Sequence, residues 1–308
     1  FFRDPKLIVD ADGRIIAALL GRPEGCDWDS VIEEMERVMA GVLRRGRKRR
    51  IFLSKNLRHR RGKFHLLSDG YSMGSGQRVC HFFTLPAELL TFFPATGKSC
   101  PQQGISTPSA SFPRELGHLP HRRLSYFPKL SKYIAQTMLG IEDDQTGLRR
   151  PFKNSVYPGV TFNLGPDTVT AEHRDGHNLA HGVCPITSAG KFNHKTGGHF
   201  YMRQLKVVIE FPPGSSMAIL SGAVDHGNTP ISKGETRYSM TQYAAGALFC
   251  WAAYSYKTAR NLLETAGGAE KKALFDSEPG VRAAWAVSLL SKVDELEADR
   301  IAAFGADK

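Results

Sequence analysis

Cysteine is scarce in this chain and shows no pattern. Cys26, Cys80, Cys100, Cys184 and Cys250 are odd in number and scattered over 308 residues, with no Cys-x-x-Cys pair. That spacing argues against a disulfide framework and a zinc ribbon, and it reads as reduced thiols inside a cell. Also missing is any apolar run near the roughly 20 residues of a membrane span, or a secretory hydrophobic segment at the start. The chain opens on Phe1, not methionine, which reads as a fragment or processed form. The loop holding Gly70, Gly74 and Gly76 lacks the spacing and the Lys-Ser/Thr ending of a phosphate-binding fingerprint, and there are no internal repeats. The most informative absence is of acid. From Arg44 to Lys63 there is no Asp or Glu but eleven Lys or Arg residues, at 44, 45, 47, 48, 49, 50, 55, 58, 60, 61 and 63. Elsewhere 30 basic residues balance 30 acidic ones, so this stretch carries the whole net charge of +11.

Such a run is a solvated tail, a nuclear address, or a surface that neutralises phosphates and releases their counterions. In the last case Arg47, Lys48, Arg49, Arg50, Arg58, Arg60, Arg61 and Lys63 follow the backbone of double-stranded DNA. In the same reading the loop from Gly70 to Gln77 presses on the duplex, with Tyr71 or Met73 as an apolar wedge.

The chemistry lies further on. His173 and Asp175 sit two apart, a spacing that on extended chain aims both side chains to one face. His226 follows 51 residues later, room enough for several strands before the chain returns. Two imidazoles and one carboxylate form the facial set of non-haem iron(II), which leaves coordination positions open where closed zinc sites do not. Eleven residues past His226, Arg237 and Ser239 share one face of a strand-like segment, Thr236 to Tyr243. A planar guanidinium fork beside a hydroxyl suits the far carboxylate of a dicarboxylic acid.

Around these motifs the pattern predicts a hairpin over residues 7–20 and a helix capped by Asp27 or Asp29 running to Leu43, with Val31, Met35, Val38, Met39 and Val42 inward. It also predicts a loop over 68–77, a long loop over 94–114 and a helix over 128–139. Short strands rich in β-branched and aromatic residues follow at 160–164, 183–187, 199–202, 206–211, 217–220 and 237–243, the signature of a sandwich, barrel or jelly roll. Helices close the chain at 256–265 and 281–304. The domain reading is an N-terminal helical and basic DNA-contacting region over 1–140 packed on a core over 141–256, followed by C-terminal helices over 257–308.

The segments Tyr157–Thr161, His173–Asn178 and Thr236–Tyr243 resemble the catalytic core of TET/JBP nucleobase dioxygenases. Phe162–Pro166 and Gly234–Ser239 resemble the TET-like proteins of mushroom-forming (basidiomycete) fungi. The resemblance covers about residues 155–250. It implies an α+β fold with a double-stranded β-helix, or jelly roll, and flanking helices. It implies Fe(II) on His173, Asp175 and His226, and 2-oxoglutarate on Arg237 and Ser239 with Asn163 beside them. It also implies that Asn178, Tyr243 and His177 meet a base flipped from the duplex, whose methyl group is oxidised. Animal members carry a base-reading His where this chain has Ala245, and their cysteine-rich zinc-binding half is absent. Both 5-methylcytosine and N6-methyladenine therefore stand as substrates for a nuclear, monomeric enzyme. The competing readings are a 2-oxoglutarate oxygenase acting on a protein side chain or small molecule, and a DNA-binding module without catalysis. His181, His194 and His199 are read as surface or satisfied core histidines.

Overall fold

The protein is described by a computed structural model over residues 5–21, 27–52, 58–74, 80–83, 124–276 and 279–305. Lys55, Cys26, Cys100, the predicted loop at 94–114 and residues 75–77 of the glycine loop lie outside these residues.

A large antiparallel sheet is ordered β1 (Lys6–Val9), β2 (Ile15–Leu19), β11 (Ser216–Ile219), β8 (Cys184–Lys191), β13 (Thr236–Tyr243), β7 (Gly159–Leu164), β5 (His65–Ser72) and β6 (His81–Phe83). A smaller sheet pairs β10 (Val207–Ile209), β9 (Phe200–Met202) and β12 (His226–Asn228), also antiparallel. A two-residue ribbon, β3 (Arg58–His59) with β4 (Gly62–Lys63), stands apart from both sheets. The helices are α1 (Trp28–Lys48), α2 (Pro128–Asp144), α3 (Gly246–Ala253), α4 (Ala259–Leu263), α5 (Gly268–Asp276), α6 (Pro279–Ser288) and α7 (Leu296–Phe304).

Helix α1 starts where its cap predicts, with the Asp27 carboxylate accepting from the Ser30 N–H at 3.2 Å. Its inward stripe is Trp28, Ile32, Met35, Val38, Met39, Val42 and Leu43, one residue round from the expected Val31, which is half-buried. That stripe packs on Leu67, Val160, Phe162, Leu164, Ala189, Tyr238 and Met240. On β13 and β7 these residues alternate with Arg237, Ser239, Thr241, Thr161 and Asn163, so α1 covers one face of the sheet and the polar residues line the other. Trp28 fixes the helix by donating from Nε1 to the Gly214 carbonyl at 2.8 Å.

Residues before 140 supply β1, β2, β5 and β6, half the strands of the large sheet, which cannot satisfy their main chain alone. Two expectations need correction. The stretch 68–72 is strand, not loop. Gly70 sits there at φ +114, and a Cβ would lie 2.0 Å from the Pro158 carbonyl, so its bare backbone serves strand packing. Tyr71 is buried beside it, its hydroxyl donating to Glu142 at 2.7 Å, so it cannot be a wedge into DNA. Finally, the expected helix over 281–304 is broken. Ser291 turns inward and its carbonyl accepts from Ile15 N–H at 2.9 Å, while Val293 N–H donates to Gly13. Those main-chain groups are drawn off by the first hairpin.

Candidate metal and co-substrate site

The site lies between the two sheets, in an open cleft lined from the large sheet by Asn163, Ile186, Arg237, Ser239 and Thr241, and from the small one by Phe200, His226 and Asn228. His226 opens β12. His173 lies opposite on an extended segment and the two exchange main-chain bonds, His173 N–H to the His226 carbonyl at 3.0 Å and the reverse at 2.9 Å. Asp175 is placed by its own N–H, which donates to the Ser221 carbonyl at 2.9 Å.

These anchors bring His173 Nε2 to 3.6 Å from Asp175 Oδ1 and His226 Nε2 to 4.0 Å from Oδ2, with all three ligand atoms within 4.8 Å of one another. Each imidazole Nδ1 lies 2.9 Å from a carbonyl two residues back, Ala171 for His173 and Val224 for His226. A carbonyl only accepts, so Nδ1 carries the hydrogen and Nε2 keeps its lone pair for a ligand. Burial, aided by the neighbouring imidazole, pushes His173 down to about 4, and burial also lowers His226. Two neutral imidazoles and a carboxylate fit Fe(II) with open positions.

Across the cleft Arg237 is buried, and burial lowers it to about 10, still protonated at neutral pH. Its hydrogen bonds fall on Nη1, to the Thr168 carbonyl at 3.0 Å and Asn228 Oδ1 at 3.3 Å. Nε is buried without a partner. No carboxylate pairs with it among the described residues. Asn163 donates from Nδ2 to Ser239 Oγ at 2.9 Å, while its Oδ1 and the Ser188 hydroxyl are also buried without partners. A buried cation with no counter-charge calls for an anion. Arg237, Asn163, Ser239, Thr241 and the metal set line one cleft, and the combination fits 2-oxoglutarate beside Fe(II). The strand register makes the cradle: Arg237, Ser239 and Thr241 face one way, with Asn163 and Ser188 directly opposite Ser239 on the flanking strands.

The residues expected at the base are placed differently from the cleft lining. Asn178 Nδ2 donates to Ser221 Oγ at 3.1 Å and lies 3.4 Å from Asp175 Oδ2, so its amide braces a metal ligand. The Tyr243 ring lies over Gly159, where a Cβ would come within 3.1 Å of it, and burial raises its hydroxyl above the usual phenol range. His177 is exposed. His181 is a half-buried histidine among Tyr133 and Trp285, and His194 pairs with Glu210 at the surface.

The basic run divides in two. Arg47 and Lys48 end α1, with Arg49 and Arg50 after it, all exposed. Arg58 and Lys63 are exposed on the β3–β4 ribbon, which is tied to the metal segment through Ala171 N–H donating to the Arg61 carbonyl at 2.8 Å. Arg61 itself is not a free surface cation: its Nη2 donates to Asp175 Oδ1 at 2.7 Å, and Arg60 donates to the Arg174 carbonyl at 3.1 Å. Burial, with the nearby charge of Arg47 and His59, holds His65 below the usual imidazole range. Arg61 on the metal carboxylate, Ser188 and Asn228 were not foreseen in these roles. Only Asn228, two residues beyond His226, carried a readable signal.

No family model matches the chain, and no curated protein matches it. Forty-two chains of solved structures do. NgTET1 in complex with 5mC DNA is 14% identical, with 79% of this chain and 77% of that one covered and a TM-score of 0.44. An oxidoreductase of the 2OG-Fe(II) oxygenase family from Burkholderia pseudomallei is 16% identical, covering 72% and 92%, with a TM-score of 0.32. A viral collagen prolyl hydroxylase from Paramecium Bursaria Chlorella virus-1, as its 2OG complex, is 16% identical over 28% of this chain and 57% of that one, at a TM-score of 0.22.

Proposed function

We propose that this chain is an Fe(II)/2-oxoglutarate-dependent dioxygenase with a double-stranded β-helix core, of the fungal TET-like kind, that oxidises the methyl group of a base flipped from double-stranded DNA. The observation that carries the reading is the ribbon β3–β4. It sets exposed Arg58 and Lys63 beside the His173–Asp175 segment, so charges suited to phosphates border the metal cleft. Bound there, Fe(II) and 2-oxoglutarate would activate dioxygen, one oxygen atom going to succinate as 2-oxoglutarate loses carbon dioxide and the other to the methyl C–H bond of the substrate. The chain's own part is placement. His173, Asp175 and His226 hold the metal, Arg237 and Ser239 take the distal carboxylate, and Phe64, Ile186 and Phe200 keep the cleft wall apolar. A methyl group stacked inside a duplex cannot reach this recess, so the base leaves the stack. The substrate is 5-methylcytosine or N6-methyladenine. The basic run doubles as a nuclear address on a monomeric enzyme.

The internal bonds of the Asn178 amide and the packing of Tyr243 on Gly159 favour a second reading, an oxygenase for a protein side chain or small molecule. Nucleoside mass spectrometry separates the two after incubation with methylated duplexes, Fe(II) and 2-oxoglutarate. Oxidised base in step with succinate is the expected result. Succinate unaffected by methylated DNA, with no oxidised base, would overturn the nucleic-acid reading and leave the oxygenase one.

A further inference from the structure

We infer that Asn228 is the positioning residue that aims Arg237 at its anion, and that the preference of the cleft for a dicarboxylate depends on it. The inference builds on the 2-oxoglutarate reading. Asn228 is buried at 5% exposure, ends β12 two residues past His226 and lines the cleft. Its Oδ1 accepts from Thr170 N–H at 2.8 Å and from Arg237 Nη1 at 3.3 Å. Its Nδ2 donates to the carbonyls of Thr168, at 3.3 Å, and Thr229, at 2.9 Å. Donors meet the oxygen and carbonyls meet the nitrogen, so only one orientation of the amide satisfies all four contacts.

The consequence falls on Arg237. Its Nη1 has two acceptors, Asn228 Oδ1 and the Thr168 carbonyl, and Asn228 also holds the second of these. One side chain therefore makes one of the two bonds that orient the guanidinium and steadies the acceptor of the other. Nε remains buried and unpartnered, available to a carboxylate. An amide does this without charge. An aspartate at 228 would hand the guanidinium an internal counter-charge and press a carboxylate oxygen against two carbonyls. The main-chain bond from Asn228 N–H to the Thr170 carbonyl, 3.0 Å, is independent of the side chain and keeps the strand in register in either variant.

The test needs no turnover and no DNA. Calorimetry on the Mn(II)-loaded protein compares 2-oxoglutarate with 2-oxobutyrate, which has the same 2-oxo acid head and no distal carboxylate, in wild type, Asn228→Ala and Asn228→Asp. Both variants should lose about tenfold or more of the preference for the dicarboxylate, the loss expected for a bond to a charged group. Their dissociation constants for 2-oxobutyrate and Mn(II) should stay within about threefold of wild type, since the metal set is intact. Should Asn228→Ala not fold, the near-isosteric Asn228→Asp carries the test. A folded variant that keeps the wild-type preference overturns the inference, as does equal weakening of both acids, which marks a packing role. A wild-type protein that does not distinguish the two acids removes the co-substrate reading and the inference with it.

Discussion

At the scale of single residues, the site is a set of polar groups made ready by burial. His173→Ala and Asp175→Ala should each abolish turnover and leave duplex affinity within about threefold, because the exposed cations proposed to meet phosphates lie at the end of α1 and on the ribbon. Full metal content in either variant, measured by elemental analysis, would remove that residue from the ligand set. Arg237 invites a sharper prediction. It is a buried charge with no carboxylate beside it, so Arg237→Met should raise the melting temperature of the ligand-free protein, by about 2 °C or more, while destroying 2-oxoglutarate binding. The two protein acceptors it leaves behind keep other donors, Thr170 N–H on Asn228 Oδ1 and Asn228 Nδ2 on the Thr168 carbonyl. A lower melting temperature in that variant would mean the guanidinium stabilises the fold instead.

Among the elements, α1 and the β3–β4 ribbon divide the basic run between two places. Neutralising Arg47, Lys48, Arg49 and Arg50 together should flatten the salt slope of duplex binding by up to about four units, alike for all sequences. Replacing Arg58 and Lys63 should flatten it by up to about two and also slow oxidation, since the ribbon is bonded to the segment carrying His173 and Asp175. If the quadruple variant keeps both affinity and slope while the ribbon variant loses them, the end of α1 is an address and the duplex meets the ribbon alone. Strand β5 offers a stability test. Gly70→Ala must both hold φ near +114 and displace the Pro158 carbonyl, so it should cost several kcal/mol, read as a lower urea midpoint.

For the molecule as a whole, burial holds His65, His173, His181 and His226 below the usual imidazole range. Unfolding restores the ordinary value of about 6.5, so below that pH the unfolded chain binds more protons than the folded one. The stabilisation is fully present above about pH 6.5 and is lost as pH falls toward about 4, where His173 titrates in the folded protein. Urea midpoints of the metal-free protein should therefore fall from pH 7.5 to 6 to 5. A flat profile from 7.5 to 5.5 would show that these imidazoles are free to protonate in the fold.

Much of the chemistry was legible before any fold. The His-x-Asp spacing, the distant His226 and the alternation of Arg237 with Ser239 are local facts about which side chains share a face, and extended chain preserves them. The cap at Asp27 and the strands around 160–164 and 237–243 were readable for the same reason, that their determinants lie within a few residues. What needed tertiary structure were the relations set by chain returning from far away. Gly70 reads as a flexible loop until Pro158 stands against it. Arg61 reads as a phosphate contact until the ribbon folds onto Asp175, 114 residues on. Asn178 shows nothing in sequence of the bonds its Nδ2 makes to Ser221 and Asp175. The helix expected at 281–304 is broken where the hairpin at residues 13–15 claims its main chain. Residue type and spacing determined which groups could bind metal and anion, while long-range hydrogen bonding decided which were left free to do so.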